Sequence, residues 1–313
     1  MTTVNRTDRI VVTSRSFSRH KVLREELIAA FDDVTFNDEG VKLEGEGLFS
    51  FLDGYDRAII ALERLDEVVI GRLPRLKIVS KYGVGLDNID VAALRRHGKR
   101  LGWRGGVNRR SVAELALSFM ISLMHRVPEA TALVRGGGWA QLTGRQLSEK
   151  TVGIIGCGHV GKDLVEMLKP FGTTILVHDI VRYEEYYRAN VIEAVDLKTL
   201  LARADVVSLH VPFDETTRGM LNAECIAAMK PGAVLLNTAR GGLVDEAAVK
   251  TALLKGRLSG IAFDVFAMEP PVDAELLAMP NVLATPHIGG SAEEAILAMG
   301  RAAIRGLEEN DIP

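Results

Sequence analysis

Short runs of β-branched and aliphatic residues alternate along this chain with longer segments in which apolar residues recur every three to four positions. That rhythm predicts a parallel sheet covered by helices. In the first third, strands are expected at 9–13, 57–61 and 77–81, and helices at 20–31 and 91–96. Segment 112–124 (VAELALSFMISLM) is apolar almost all round, which predicts a buried helix. Segment 126–144 turns polar and glycine-rich, and the GGG at 136–138 is expected to be irregular. From Lys150 the alternation sharpens. Strands are expected at 151–156, 173–179, 205–210, 233–237, 259–264 and 281–284, and helices at 160–171, 197–203, 223–229 and 246–255. Pro231-Gly232 marks a helix-to-strand turn, and Lys255-Gly256 fits a helix C-cap.

One turn in this pattern carries chemistry. Gly156, Gly158 and Gly161 form G-x-G-x-x-G directly after an expected strand and at the mouth of an expected helix. The first glycine permits the tight turn, the second lets a pyrophosphate approach the backbone, and the third lets helix pack on strand. The helix start supplies free N–H groups and the positive end of a dipole. Asp179 ends the next strand, where a carboxylate accepts both ribose hydroxyls and repels a 2′-phosphate. This favours NAD over NADP, although Arg182, three residues on, is a candidate partner for a 2′-phosphate. Cys157, inside the loop, reads as a small filler residue.

Composition adds boundaries. The 313 residues suffice for two domains of about 150 residues each. A formal charge of −3 gives no basic surplus for a nucleic-acid partner. Two cysteines are too few for a disulfide framework, and the first twelve residues lack the apolar run of a signal peptide. No stretch approaches the roughly 18 apolar residues of a membrane span. A cytoplasmic protein with no membrane partner is expected, and no metal cluster is suggested.

The ordered motifs KYGVGLDNID (81–90), VAEL (112–115), GIIGCGHVG (153–161), HVPFDETTRGM (210–220), NTARGGLVDE (237–246), FDVFAMEP (263–270) and TPHIGGSAEEA (285–295) extend over most of the chain. Together they resemble the D-isomer specific 2-hydroxyacid dehydrogenase family, which includes phosphoglycerate, glyoxylate/hydroxypyruvate and lactate enzymes. The resemblance implies an α/β fold with a Rossmann-type doubly wound parallel sheet at 103–284. This would be inserted into a flavodoxin-like α/β substrate domain made of 1–102 and 285–313. It also implies NAD as cofactor, a small 2-hydroxy or 2-keto acid as substrate, and a homodimer built largely through 112–150.

Oxidising an alcohol beside a carboxylate removes a hydride and a proton, so the protein must supply a base and a cation. A neutral imidazole suits the base. His287 follows Pro286 at a strand end and precedes two glycines. The family pairs the residue matching His287 with the one matching Glu269, which would hold a single ring tautomer. Arg240, also past a strand end, matches the arginine that orients the carboxylate and keto oxygen; a planar guanidinium does so better than a lysine. Asp264 matches the residue that binds the nicotinamide carboxamide. The resemblance also carries His159, Val160, Val211, Pro212, Thr217, Thr238 and Ala239 into the cofactor site. The backbone of Val84 and Gly85 matches a loop that receives the substrate carboxylate, with Gly83 and Gly85 permitting close approach.

Lys81 and Arg64 are further substrate-binding candidates, and Arg109 belongs with them. They can receive a second anion, as a 3-phosphoglycerate-like substrate requires, or they can be solvated or paired with Asp87, Asp90 or Glu114. Trp139 reads as a dimer-interface residue. Two other readings of the same framework stand beside this one: a phosphite dehydrogenase, and a non-catalytic NAD-sensing protein like the corepressors built on this fold.

Overall fold

The computed structural model describes residues 7–313; the first six, which fall in the expected substrate domain, lie outside the described residues. The described chain divides into two compact units. One runs to Asn108 and includes Glu293–Pro313, and the other is Arg109–Ala292.

The first unit contains β1 (Arg9–Val12), β2 (Asp33–Phe36), β3 (Arg57–Ile60), β4 (Ile78–Lys81) and β5 (Arg100–Gly102). They form a parallel sheet in the order β2-β1-β3-β4-β5, the flavodoxin-like order. β1 and β3 read as continuous apolar runs because helices cover both faces of the sheet. The edge strand β2 and the three-residue β5 carry too few apolar residues to stand out in the sequence. The last helix, Glu293–Gly306, returns to this sheet through small residues. A Cβ on Gly102 would stand 2.0 Å from the Gly306 carbonyl oxygen, so backbone meets backbone there. Buried Arg57 ties the same tail down, bonding Asp8 at 2.6 Å and the Leu307 carbonyl.

The second unit contains β6 (Thr151–Ile155), β7 (Thr174–His178), β8 (Glu193–Ala194), β9 (Val206–Leu209), β10 (Ala233–Asn237), β11 (Leu258–Phe263) and β12 (Val282–Ala284). All are parallel, in the order β12-β11-β10-β9-β6-β7-β8. Counted from β6, this is the doubly wound Rossmann order with one strand added at the far edge. The order reverses between β6 and β9, where such sheets bind ligands beyond the strand ends. Asp196, Asn222, Asp245 and Asp273 each cap the start of a helix by accepting a backbone N–H.

One expectation needs correction. Helix Arg109–Met124 is buried along one face only, through Val112, Ala113, Ala116, Phe119, Met120, Leu123 and Met124. Ser118 on the same helix is exposed, and Leu115, Leu117 and Ile121 are only partly covered. The polar segment after it begins with a second helix, Val127–Arg135, none of whose residues is buried. Glycines 136–138 do follow it as irregular chain.

Candidate active site

The glycine turn follows β6. Gly156 has φ +92°, and a Cβ there would lie 2.7 Å from the His210 carbonyl oxygen. A Cβ on Gly161 would lie 2.3 Å from the Gly156 carbonyl oxygen, so the helix packs directly on the turn. Around Gly158 nothing comes within 4 Å of the corresponding position. Gly158 also caps helix His159–Leu168 without a side-chain bond, leaving the first N–H groups of His159, Val160 and Gly161 open to an anion. Asp179 is held at the end of β7 by the Cys157 N–H (2.6 Å) and the Val181 N–H (2.8 Å). These features fit a dinucleotide, whose pyrophosphate would lie on the turn and whose adenosine ribose would meet Asp179. Burial raises the Cys157 thiol to about 11, so the cysteine is packing rather than a nucleophile.

Four neighbouring strands end in register at Leu209, Asn237, Phe263 and Ala284. The segments carrying Val211, Thr238–Arg240, Asp264–Glu269 and His287 therefore leave the sheet side by side. In the first of them, the Thr217 hydroxyl donates to the Pro212 carbonyl (2.8 Å) and accepts the Asp214 N–H (2.9 Å), bracing the turn. Buried Asn237 organises the next segment: its amide donates to the Arg240 carbonyl (2.7 Å) and accepts the Ala239 N–H (3.1 Å). The half-buried Arg240 guanidinium donates to the Ala239 carbonyl (2.7 Å). A Cβ on Gly241 would lie 1.8 Å from the Phe266 carbonyl oxygen, so the arginine segment rests on the backbone of the Glu269 segment.

His287 lies in the left-handed region at φ +54°, a conformation that a non-glycine residue keeps only when its surroundings impose it. Asp264 imposes it. The Asp264 carbonyl accepts the His287 N–H at 2.9 Å. Its carboxylate, 1% exposed, accepts the Thr285 hydroxyl (2.6 Å) and the N–H groups of Ile288 and Gly289 (both 2.7 Å). The imidazole Nδ1 meets Glu269 Oε2 at 3.0 Å, while Glu269 Oε1 accepts the Phe266 N–H at 3.2 Å. A carboxylate only accepts, so Nδ1 carries the proton and Nε2 keeps its lone pair. The half-exposed imidazole thus offers a base of defined tautomer at the carboxyl end of the sheet.

Two buried polar atoms nearby have no hydrogen-bond partner, Thr238 Oγ1 and His210 Nδ1, which fits a site that receives a polar ligand. The other nitrogen of His210 bonds the Ser208 hydroxyl at 2.9 Å, and burial lowers the imidazole to about 4. The bracing role of Asn237 and the place of His210 were missed in the sequence reading. For Asn237 the available signal was a polar residue closing an apolar strand, AVLLN.

The first unit holds the remaining candidates. Lys81 is buried, and its ammonium bonds the Ala61 carbonyl and Asn88 Oδ1 (2.6 Å). This corrects the expectation of an anion-seeking cation, because its donors serve the protein's own turns. The Arg64 side chain is 84% exposed and lies 3.7 Å from Asp66. Val84 and Gly85 form the loop after β4, and the Val84 carbonyl accepts the Trp103 indole N–H at 2.8 Å. In the second unit, Arg110, the neighbour of Arg109, pairs with Asp163 at 2.8 Å. Among the described residues, no group of three or more His, Cys, Asp or Glu is placed to hold a metal.

Residues 117–289 match the family model "D-isomer specific 2-hydroxyacid dehydrogenase, NAD binding domain". The chain belongs to this family. Family members are NAD-dependent oxidoreductases acting on CH–OH donors, and NAD is the cofactor. The chain is 37% identical to a hydroxypyruvate reductase of Thermotoga maritima, over 82% of its own length and 85% of the relative's. It is 36% identical to a D-3-phosphoglycerate dehydrogenase of Methanocaldococcus jannaschii over 89% of its length, but spans only 54% of that relative. A D-lactate dehydrogenase of Aquifex aeolicus, solved with NAD and lactic acid, superposes with a TM-score of 0.84 at 26% identity, covering 96% of this chain and 94% of the other.

Proposed function

We propose that the protein interconverts a small D-2-hydroxy acid and its 2-keto acid, using NAD. The observation that carries this reading is the His287–Glu269 pair, on a loop clamped by Asp264 at the carboxyl end of the dinucleotide-binding sheet. NAD, held through Gly156, Gly158, Gly161, Asp179 and the strand-end segments that include Thr238 and Asp264, supplies the hydride acceptor or, reduced, the donor. Nε2 of His287 takes the hydroxyl proton in oxidation and returns it to the keto oxygen in reduction. Glu269 keeps the other nitrogen protonated, and Arg240 grips the carboxylate and the reacting oxygen with its planar fork. The Val84–Gly85 backbone receives the carboxylate. Exposed Arg64, rather than Lys81, is the cation for any second anionic group.

The inferred state is a cytoplasmic homodimer. Two free cysteines fit a reducing compartment, and among the described residues no helix is long and apolar enough to cross a membrane. The uncovered apolar side chains of 112–139 support self-association. The test is a steady-state panel: NADH oxidation with glyoxylate, pyruvate, hydroxypyruvate and a phosphorylated 2-keto acid, and NAD reduction with phosphite. Turnover of keto acids but not phosphite is expected. Turnover of phosphite alone, or of nothing, overturns the reading in favour of a phosphite enzyme or an NAD-sensing protein.

A further inference from the structure

Trp103 is the residue after β5, one position beyond the Ser80–Gly102 pair that joins β5 to β4. β4 runs directly into the Gly83–Gly85 turn, so the indole stands beside that turn and reaches it: Nε1 donates to the Val84 carbonyl at 2.8 Å. The base of the turn is held separately. Asn88, which accepts from Lys81, donates to the carbonyls of Ala61 (3.0 Å) and Glu63 (2.6 Å). Gly83 crosses the Lys81 side chain at φ +130°. The two supports differ in what they fix. Lys81 and Asn88 anchor the ends of the turn, whereas Trp103 grips its middle peptide.

The Val84 carbonyl and the Gly85 N–H are opposite edges of one planar trans peptide, so fixing the direction of one fixes the other. Glycines on both sides of Val84 leave that plane freer to rotate than ordinary residues would. We propose that Trp103 is a positioning residue for substrate: by holding the Val84 carbonyl, it aims the Gly85 N–H at the substrate carboxylate. This rests on the reading above that the turn receives the carboxylate. Without the indole N–H, the carbonyl of half-buried Val84 would turn to water, and the cost of orienting the peptide would fall on substrate binding instead. Because every 2-keto acid presents the same carboxylate, the effect should not depend on the rest of the substrate.

Trp103→Phe keeps a ring and removes the donor. The expected result is a KM for 2-keto acids raised roughly threefold to tenfold, the size of one lost hydrogen bond. The factor should be the same for glyoxylate, pyruvate and a longer-chain 2-keto acid, with kcat within about twofold and NADH affinity unchanged, the signature of lost uniform binding. If Trp103→Phe fails to fold, benzothienylalanine at position 103 in a Trp139→Phe background decides the matter. It preserves the indole shape and replaces only the N–H by sulfur, and it should raise KM by the same factor over Trp139→Phe alone. An unchanged KM overturns the proposal, as does a factor that grows with the substrate's side chain, which would make Trp103 a pocket wall. Wild-type protein that turns over none of these acids would count against the proposed function itself and remove this role with it.

Discussion

At His287 a backbone conformation, a tautomer and a strand end are set by different neighbours. Asp264 holds the left-handed backbone, Glu269 holds the Nδ1 proton, and β12 delivers the loop. Removing the imidazole should therefore leave the dinucleotide cradle intact while deleting proton transfer. His287→Ala is expected to lower kcat by about 10²–10⁴ with NADH affinity unchanged in a fluorescence titration; a near-normal kcat would mean that another group is the base. His210 contributes differently. Its buried imidazole is lowered from 6.5 to about 4, so below about pH 6.5 the unfolded chain takes up a proton that the folded chain refuses. Stability is full above 6.5 and falls as the pH drops toward 4. Denaturant melts of His210→Gln should show a shallower loss over that acid range than wild type, and parallel curves would remove His210 as the cause. Much of this site was legible, because His287, Glu269, Arg240 and Asp179 fall in motifs and at strand ends. What was not legible was which donors each polar group already serves. Lys81 carries the right charge in the right motif, yet two of its donors serve Ala61 and Asn88, and nothing in the local sequence encodes the Ala61 partner twenty residues away.

Between residue and fold, contact of one loop with the next decides the geometry. The segment bearing Arg240 and the segment bearing Glu269 touch backbone to backbone at Gly241 and Phe266, an approach that any Cβ would forbid. Gly241→Ala must push the two segments apart. A stability loss of about 1–3 kcal/mol is expected from such overpacking, measurable by urea denaturation, together with a fall in kcat. The glycine turn at 156–161 would still bind NADH. Unchanged kcat would show that the spacing of these segments does not govern the chemistry. The elements themselves were readable wherever a strand is buried on both faces, as in β3, β9 and β10, since such strands are mostly apolar even with Ser208 inside β9. Edge strand β2, two-residue β8 and the short helix Glu184–Ala189 escaped the reading because half-exposed or brief elements leave no period to detect.

For the whole molecule, the informative residues are the apolar ones that the chain leaves uncovered. Val127 is 47% exposed, Val134 52% and Trp139 90%, and they belong to one continuous segment whose helix buries nothing. The preceding helix spends one face on its own core and leaves Leu117 and Ile121 only partly covered. Single exposed hydrophobics need no explanation, but Val127 and Val134 on one helix and Trp139 just beyond it, beside the half-covered Leu117 and Ile121, together suit a contact surface. A second copy of the chain would cover Val127, Val134 and Trp139 together with the half-covered Leu117 and Ile121. Sedimentation should show a dimer across the micromolar range. Val134→Glu, which adds a charge to a helix that holds no core, should shift the protein toward monomer without lowering the stability of the protomer. A wild-type monomer, or a Val134→Glu protein that remains as dimeric as wild type, would mean that this surface serves something other than self-association.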